Sequence, residues 1–227
     1  MGVQPGPNHE GFRFCKEGFF FDPDGLPLIL IGRVEFLHFW NCLDSCFSSP
    51  LGRKLIYAAT DAEERILANH ERYKLGRFFG QKRVRRVLRQ RALNMGWGVF
   101  GDQQITAPVH EALSVGFALA HEEHVRQLRF DMEWKQPSQD LILIDYAQKQ
   151  GNLSSAPKPT PFEWMASGEN NAGEASLELD LDVREHRFFS GDEQSFFLHV
   201  SVLKPLFSAL MGRDPVVHSG MNDASVD

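Results

Sequence analysis

The sequence predicts an α+β fold: an antiparallel sheet packed against a helical layer, opened by an N-terminal hairpin. Three observations predict it. Apolar residues recur at helical spacing in three stretches between Phe36 and Met95. The period then changes to strict alternation in "LRFDMEWK", where Leu128, Phe130, Met132 and Trp134 interleave with Arg129, Asp131, Glu133 and Lys135. The elements run hairpin, three helices, short strand, helix, hairpin, loop, hairpin, short helix, an order that segregates strand pairs from helices. A chain of 227 residues with 42% hydrophobic residues and 19 Phe can bury the core that one large domain needs.

Each element has a local reason. In "GFFFDPDGLPLILIGR" two apolar runs flank Asp22-Pro23-Asp24-Gly25, turn residues that fold the runs into a hairpin. Phe36, Leu37, Trp40, Leu43 and Phe47 predict the first helix, which Pro50-Leu51-Gly52 ends. Leu55, Ala59, Ala62 and Ile66 predict a second, with Asp61, Glu63 and Glu64 assigned to its outer side. Val84, Val87, Leu88, Ala92 and Met95 give the third a narrow apolar stripe. "GWGVFGDQQI" predicts a turn and a short strand. A fourth helix is expected from Thr106 as cap, with Pro108 in its first turn. Gly116 inside that helix implies a close neighbour. "LRFDMEWK" and "DLILIDYA" predict a second hairpin, and "SLELDLDV" and "SFFLHVSV" a third, joined by "SGDE". "KPLFSALM", ended by Gly212, predicts a short last helix.

The expected organisation is a flexible tail over 1–10, a domain over 11–147, a loop over 148–175, a hairpin and helix over 176–212 completing the same domain, and a polar tail over 213–227. In the loop, Phe162, Trp164 and Met165 form a candidate docking anchor. No apolar run is long enough to span a bilayer and no secretory leader is evident, so a cytoplasmic protein is expected. Cys15, Cys42 and Cys46 complete no zinc or redox motif and are expected to act as small apolar side chains.

Charge is uneven beneath a net −6. From Arg72 to Arg91 there are nine Lys or Arg and no acid. Lys82, Arg83, Arg85, Arg86, Arg89 and Arg91 surround much of the third helix, and the first five are the candidate partner-binding residues. Three uses suit them: a solvated or self-paired face, an acidic protein or lipid surface, or phosphate contacts. An acidic protein partner is favoured over nucleic acid, because the chain as a whole is acidic and carries no recognition module, although Phe78 and Phe79 precede the helix.

Chemistry-bearing motifs are sparse. "HEEH", His121 to His124, falls one residue short of the His-Glu-x-x-His zinc spacing, and a cation there lacks a third ligand. The sequence therefore assigns these residues to a solvated helix end, with a cation site as the alternative. Gly-x-Ser-x-Gly, phosphate-binding loops and Gly-x-Gly-x-x-Gly are absent, and no catalytic residue is assigned.

The stretch "FFFDPDGLPLILIGRVEFLHFWNCL…SPLGRKLIYAA" resembles the opening of the 4-vinyl reductase domain, also described as a hydrocarbon-binding domain. "NMGWG" resembles that family's Gly-rich stretch, and "PVHEALSVGFALA" followed by "LRFDMEWKQPSQDLILID" its Gly-containing helix and closing hairpin. The resemblance covers roughly residues 18 to 147. Relatives sense aromatic compounds in transcription activators or accompany chlorophyll metabolism, and the fold is related to transport-particle subunits. The resemblance implies an apolar pocket between helices and sheet, a homodimer, and a bound tetrapyrrole or lipid. In the aromatic-sensing members a zinc ion is held by three Cys and a Glu. Here His110 and Glu133 occupy two of those positions, Gln136 a third, and "LILI" offers no donor, which implies a lost metal site with His110 and Glu133 as its remnants.

These observations converge on a non-catalytic binding or assembly protein. Its expected ligand is a hydrophobic small molecule (aromatic, tetrapyrrole or acyl) in a pocket lined by Phe36, Trp40, Tyr57, Phe117, Phe130 and Trp134, which points through the resemblance to photosynthetic pigment or photosystem biogenesis. The alternative is an adaptor that docks proteins through the basic helix and the loop 148–175. A metal-dependent enzyme using His110, Glu133, His121 and His124 is the third.

Overall fold

The computed structural model describes residues 12–14, 19–76, 80–152, 181–184 and 186–210. The fold is α+β, with an N-terminal hairpin, as the sequence predicts. Among the described residues the strands are β1 (Arg13–Phe14), β2 (Phe20–Phe21), β3 (Pro27–Gly32), β4 (Val99–Phe100), β5 (Gln104–Thr106), β6 (Leu128–Ser138), β7 (Leu141–Asn152), β8 (Leu181–Arg184), β9 (Arg187–Ser190) and β10 (Glu193–His199). The helices are α1 (Arg33–Ser45), α2 (Gly52–Asn69), α3 (Gly80–Met95), α4 (Glu111–Arg126) and α5 (Val200–Leu210). Cys15, Phe78, Phe79, the expected tails, the loop anchor Phe162, Trp164 and Met165, and Gly212 lie outside the described residues.

The first hairpin turns where Asp22 directs it. The Asp22 carboxylate accepts the backbone N–H groups of Asp24 and Leu26 at 3.0 and 2.9 Å, and Gly25 takes φ +79°. α1 follows β3 without a linker. The Glu35 carboxylate accepts the Gly32 N–H at 3.2 Å and the Glu193 carboxylate accepts that of Val34 at 3.1 Å, so two orphan donors of the helix start are satisfied. Phe36, Trp40 and Leu43 are its buried stripe. The Asp44 carboxylate then accepts the Leu51 N–H at 2.5 Å, tying the end of α1 to the entry of α2.

α2 and α4 form the central helix pair, and Gly116 explains how closely they approach. A Cβ at Gly116 would stand 2.5 Å from the Ile56 carbonyl oxygen and 2.8 Å from the Ala59 Cβ. The Thr60 hydroxyl donates to the Gly116 carbonyl at 3.0 Å and to the Ile56 carbonyl at 2.8 Å, stitching the crossing. The start of α4 differs from expectation. Thr106 belongs to β5, Pro108 precedes the helix, and His110 is the N-cap residue with extended backbone. Ala107 at φ +51°, its N–H bound to the Asp140 carbonyl at 2.9 Å, redirects the chain there and delays the helix.

Strands are shared between two antiparallel sheets rather than one. The first runs β1-β2-β3-β10-β9-β8, so the C-terminal strand lies beside the N-terminal one, with Leu28–Gly32 opposite Ser195–His199. The second runs β4-β5-β7-β6 and packs on α4. Two boundaries move. β7 continues to Asn152, so residues 148–152, expected in the loop, belong to the strand instead, with Gln148 and Asn152 paired to β6 across a register shift. β10 ends at His199 and α5 begins at Val200, so Val200 and Val202 are helical. The alternation in "SFFLHVSV" conceals this because β10 is central and buried on both faces from Ser195 to His199. Replacing Gly116 by Ala should lower stability by about 1–3 kcal/mol through overpacking against Ile56 and Ala59. Chemical denaturation checks this, and a variant as stable as the parent would show that the helices can move apart at no cost.

Candidate functional site

The most concentrated chemistry lies inside the protein. Glu63 on α2 is 0% exposed and Arg91 on α3 is 7% exposed. The guanidinium grips the carboxylate with two bonds, Nε to Oε1 at 2.7 Å and an Nη to Oε2 at 3.2 Å. Its remaining donors reach the Tyr73 hydroxyl at 3.2 Å, Asp22 at 3.4 Å and the His199 Nε2 at 2.6 Å. It also lies over the rings of Tyr73 and Trp97, at 5.5 and 5.6 Å. Tyr73 donates onward to Asp24 at 2.8 Å. One cation thus joins α2, α3, β10 and the first hairpin.

The pairing fixes the protonation of its neighbours. Burial alone would raise the Glu63 carboxyl, but the Arg91 charge and the His121 hydrogen bond overcome it and hold it below the usual carboxylate range. Burial, then the Arg91 charge, pushes His199 down to about 3. It is therefore neutral and accepts from Arg91 through Nε2. Burial likewise lowers His121, which donates from Nε2 to Glu63 at 3.0 Å. Burial raises Asp22 despite the attraction of Arg91.

"HEEH" is absorbed by this interior rather than solvated, which corrects the sequence expectation. All four residues are buried. His121 binds Glu63, and His124 donates to the Tyr73 carbonyl at 2.8 Å. Glu122 accepts from Arg85 at 2.7 Å and from Arg126, and Glu123 accepts from Arg129 at 2.7 Å and from the Phe130 N–H at 2.9 Å. Arg129 also forks onto Glu64 at 2.8 Å. Glu63 and Glu64, assigned to the outer side of α2, are buried because α3 and the start of β6 bring arginines to meet them. Among the described residues, no group of three His, Cys, Asp or Glu is placed to hold a metal ion. His110 is the α4 cap, packed edge-on to Phe36 with ring centroids 5.2 Å apart, and burial followed by the Arg33 charge lowers it to about 4. Glu133 is exposed on β6.

The predicted pocket residues fall in several places. Phe36 and Trp40 pack around His110, and Phe36 meets Phe196 with centroids 5.5 Å apart. Phe117 stacks on Trp97 at 3.7 Å in the centre of the core. Phe130 packs edge-on to Tyr146. Tyr57 stands 59% exposed on the outside of α2. Trp134 is half-buried and donates from its indole N–H to Glu111 at 2.5 Å. Two small hollows lined by described residues hold about 20 Å³ each, roughly one water. A larger open groove of about 510 Å³ lies on the second sheet, beside Gln103, Gln104, Trp134, Lys135, Leu143 and Asp145.

The basic helix divides its charges. Arg91 is consumed internally, Arg85 is bound by Glu122, and Arg89 donates to Asp102 at 2.8 Å. Arg83 donates to the Lys74 carbonyl at 2.8 Å while remaining exposed. Lys82 and Arg86 are exposed one helical turn apart. Sequence reasoning counted Arg91 with the basic residues around the helix, although its place in the apolar stripe with Val84, Leu88 and Met95 was the available signal of burial. It read Asp22 as a turn residue and Glu63 as outward-facing, and passed over Tyr73, Trp97 and His199.

This geometry defines an α+β protein built on a buried ion pair, with a cationic helix face outside. No family model, curated protein or solved structure matches the chain.

The lowered histidines set an acid limit. Below the ordinary histidine value of 6.5 the unfolded chain takes up protons that folded His121, His110 and His199 refuse, so stability falls as pH falls from 6.5 towards 4. Below 4.5 the lowered Glu63 adds to the loss, and the raised Asp22 opposes it in part. The unfolding free energy from denaturant titration should therefore decline on the order of a few kcal/mol between pH 7 and pH 4.5. A flat profile over that window would contradict the assigned neutral histidines.

Proposed function

We propose that this chain is a non-catalytic binding and assembly protein acting as an adaptor, which docks an acidic protein partner on the outer face of α3. The observation that carries this reading is the exposed pair Lys82 and Arg86, flanked by exposed Arg83. Like charges one turn apart disfavour a helix by a few tenths of a kcal/mol, roughly 0.2–0.5. The acids that contact α3 from outside, Asp102 and Glu122, are already engaged with Arg85 and Arg89. An acidic partner would relieve the remaining repulsion and gain long-range steering. Nucleic acid fits less well, because the chain carries a net charge of −6. The proposed location is the cytoplasm; no helix among the described residues is long and apolar enough to cross a membrane.

A second reading keeps the hydrophobic small molecule suggested by the resemblance to the 4-vinyl reductase domain. The observation favouring it is the groove of about 510 Å³ beside Trp134 and Leu143, a volume within the usual range for ligand sites. An aromatic compound, a tetrapyrrole or an acyl chain would lie there against the sheet rather than between helices and sheet. The homodimer and the link to photosynthetic pigment biogenesis rest on the same resemblance.

The two separate in one set of measurements. A fluorescent oligo-glutamate decapeptide should bind the protein, and Lys82→Glu, Arg83→Glu and Arg86→Glu together should weaken it at least tenfold with the circular dichroism spectrum unchanged. Absence of binding, or binding indifferent to the triple change, would overturn the adaptor reading. Native mass spectrometry that finds a stoichiometric pigment or lipid would establish the second.

A further inference from the structure

Among the described residues the second sheet has a gap in its interior. β7 runs to Asn152, yet β5 covers only Leu141–Leu143 on one side, with a last hydrogen bond from the Ile144 N–H to the Gln103 carbonyl at 2.9 Å. On the other side β6 pairs with β7 as far as Gln148 without a register shift. Opposed residues of an antiparallel ladder alternate between exchanging hydrogen bonds and facing away. Two observations fix the phase. Ile144, opposite Trp134, sends its N–H to Gln103, and Phe130, opposite Gln148, sends its own to the Glu123 carboxylate. Tyr146 and Gln148 are in the same phase, so their N–H and C=O groups face away from β6. Among the described residues no strand pairs with them on that side. Beyond Gln148 the register shifts, which limits the regular open edge to residues 145–148.

Cations border this edge. A small hollow is lined by Arg85, Arg89, Phe100, Gly101, Glu122 and Tyr146, so α3 and Tyr146 of β7 border the same space. Arg85 and Arg89 share Asp102, a side chain 76% exposed at the turn between β4 and β5. Asp102 is thus a replaceable acid, and Lys82 and Arg86 stand exposed on the same helix.

We infer that β7 accepts an added strand: an extended acidic segment of a partner protein pairs with Tyr146 and Gln148, in line with β5, while its carboxylates engage Arg85 and Arg89 in place of Asp102. The inference rests on the adaptor reading and names the form its partner takes. Main-chain bonds to the strand edge supply affinity, and side chains at alternate positions meet α3, which selects acids every second residue.

The probe is a decapeptide alternating Glu and Val, with an alternating Lys and Val decapeptide as its control. Gln148→Pro removes one N–H from the open edge and leaves the β6 ladder intact, because that N–H takes no part in it. Gln148→Pro and Arg89→Glu should each weaken binding of the acidic peptide at least tenfold. In the unmodified protein, bound peptide should slow hydrogen exchange at the Tyr146 and Gln148 amides, a readout that does not depend on either variant folding. Unchanged exchange at both amides, equal binding by Gln148→Pro, or equal binding of the lysine peptide would overturn strand addition. If the triple charge reversal on α3 still abolished oligo-glutamate binding in that event, the adaptor reading would survive without it.

Discussion

A carboxylate and a guanidinium placed out of reach of water organise this protein. Removing Glu63 and Arg91 from solvent costs several kcal/mol per ion, and only a close, fully hydrogen-bonded geometry offsets it. Here the offset is distributed: two bonds within the pair, then Tyr73, Asp22 and His199 around the guanidinium and His121 on the carboxylate. Each partner comes from a different element. The pair therefore acts as a locating pin, because any slip of α3 along α2, or of β10 beside β3, would strand a charge in the core. Trp97, stacked on Phe117 and donating from its indole N–H to the Phe197 carbonyl at 2.8 Å, transmits that register to the first sheet.

The same economy of charge shapes the surface. Three arginines, Arg85 on α3, Arg126 at the end of α4 and Arg129 on β6, are spent on Glu64, Glu122 and Glu123, so these three acids have little charge left to display. What remains visible on α3 is net cationic, although the chain carries a net negative charge. Internal neutralisation thus turns an acidic protein into one with a locally basic face, which charge counting along the sequence does not reveal.

Much of the secondary structure was legible because its periods are clean. The hairpin at Asp22–Gly25, the stripe Phe36–Trp40–Leu43 and the alternation in β6 each report a single buried face, and each is found where expected. Gly116 was legible as a close contact for the same reason, since a glycine mid-helix has few other uses. The errors fall where a segment is buried on more than one side. β10 and the start of α5 form one continuous apolar run, and no period separates a central strand from the helix that follows it. Glu63 and Glu64 were misplaced because a carboxylate is ordinarily a mark of solvent, and its partner lies 28 residues away for Glu63 and 65 for Glu64. "HEEH" was misread for that reason too. The edge of β7 that no described strand covers was invisible, because it depends on where β5 stops relative to a strand that begins 35 residues later.

A double-mutant cycle on Glu63→Leu and Arg91→Met, followed by chemical denaturation at pH 7, tests the buried pair most directly. Each single change leaves a charge unpaired in the core and should cost about 3–5 kcal/mol, while the double variant should lose far less than the sum, with a coupling above about 2 kcal/mol. Additive losses would contradict the account, since they would mean that the two side chains contribute to the fold independently of each other.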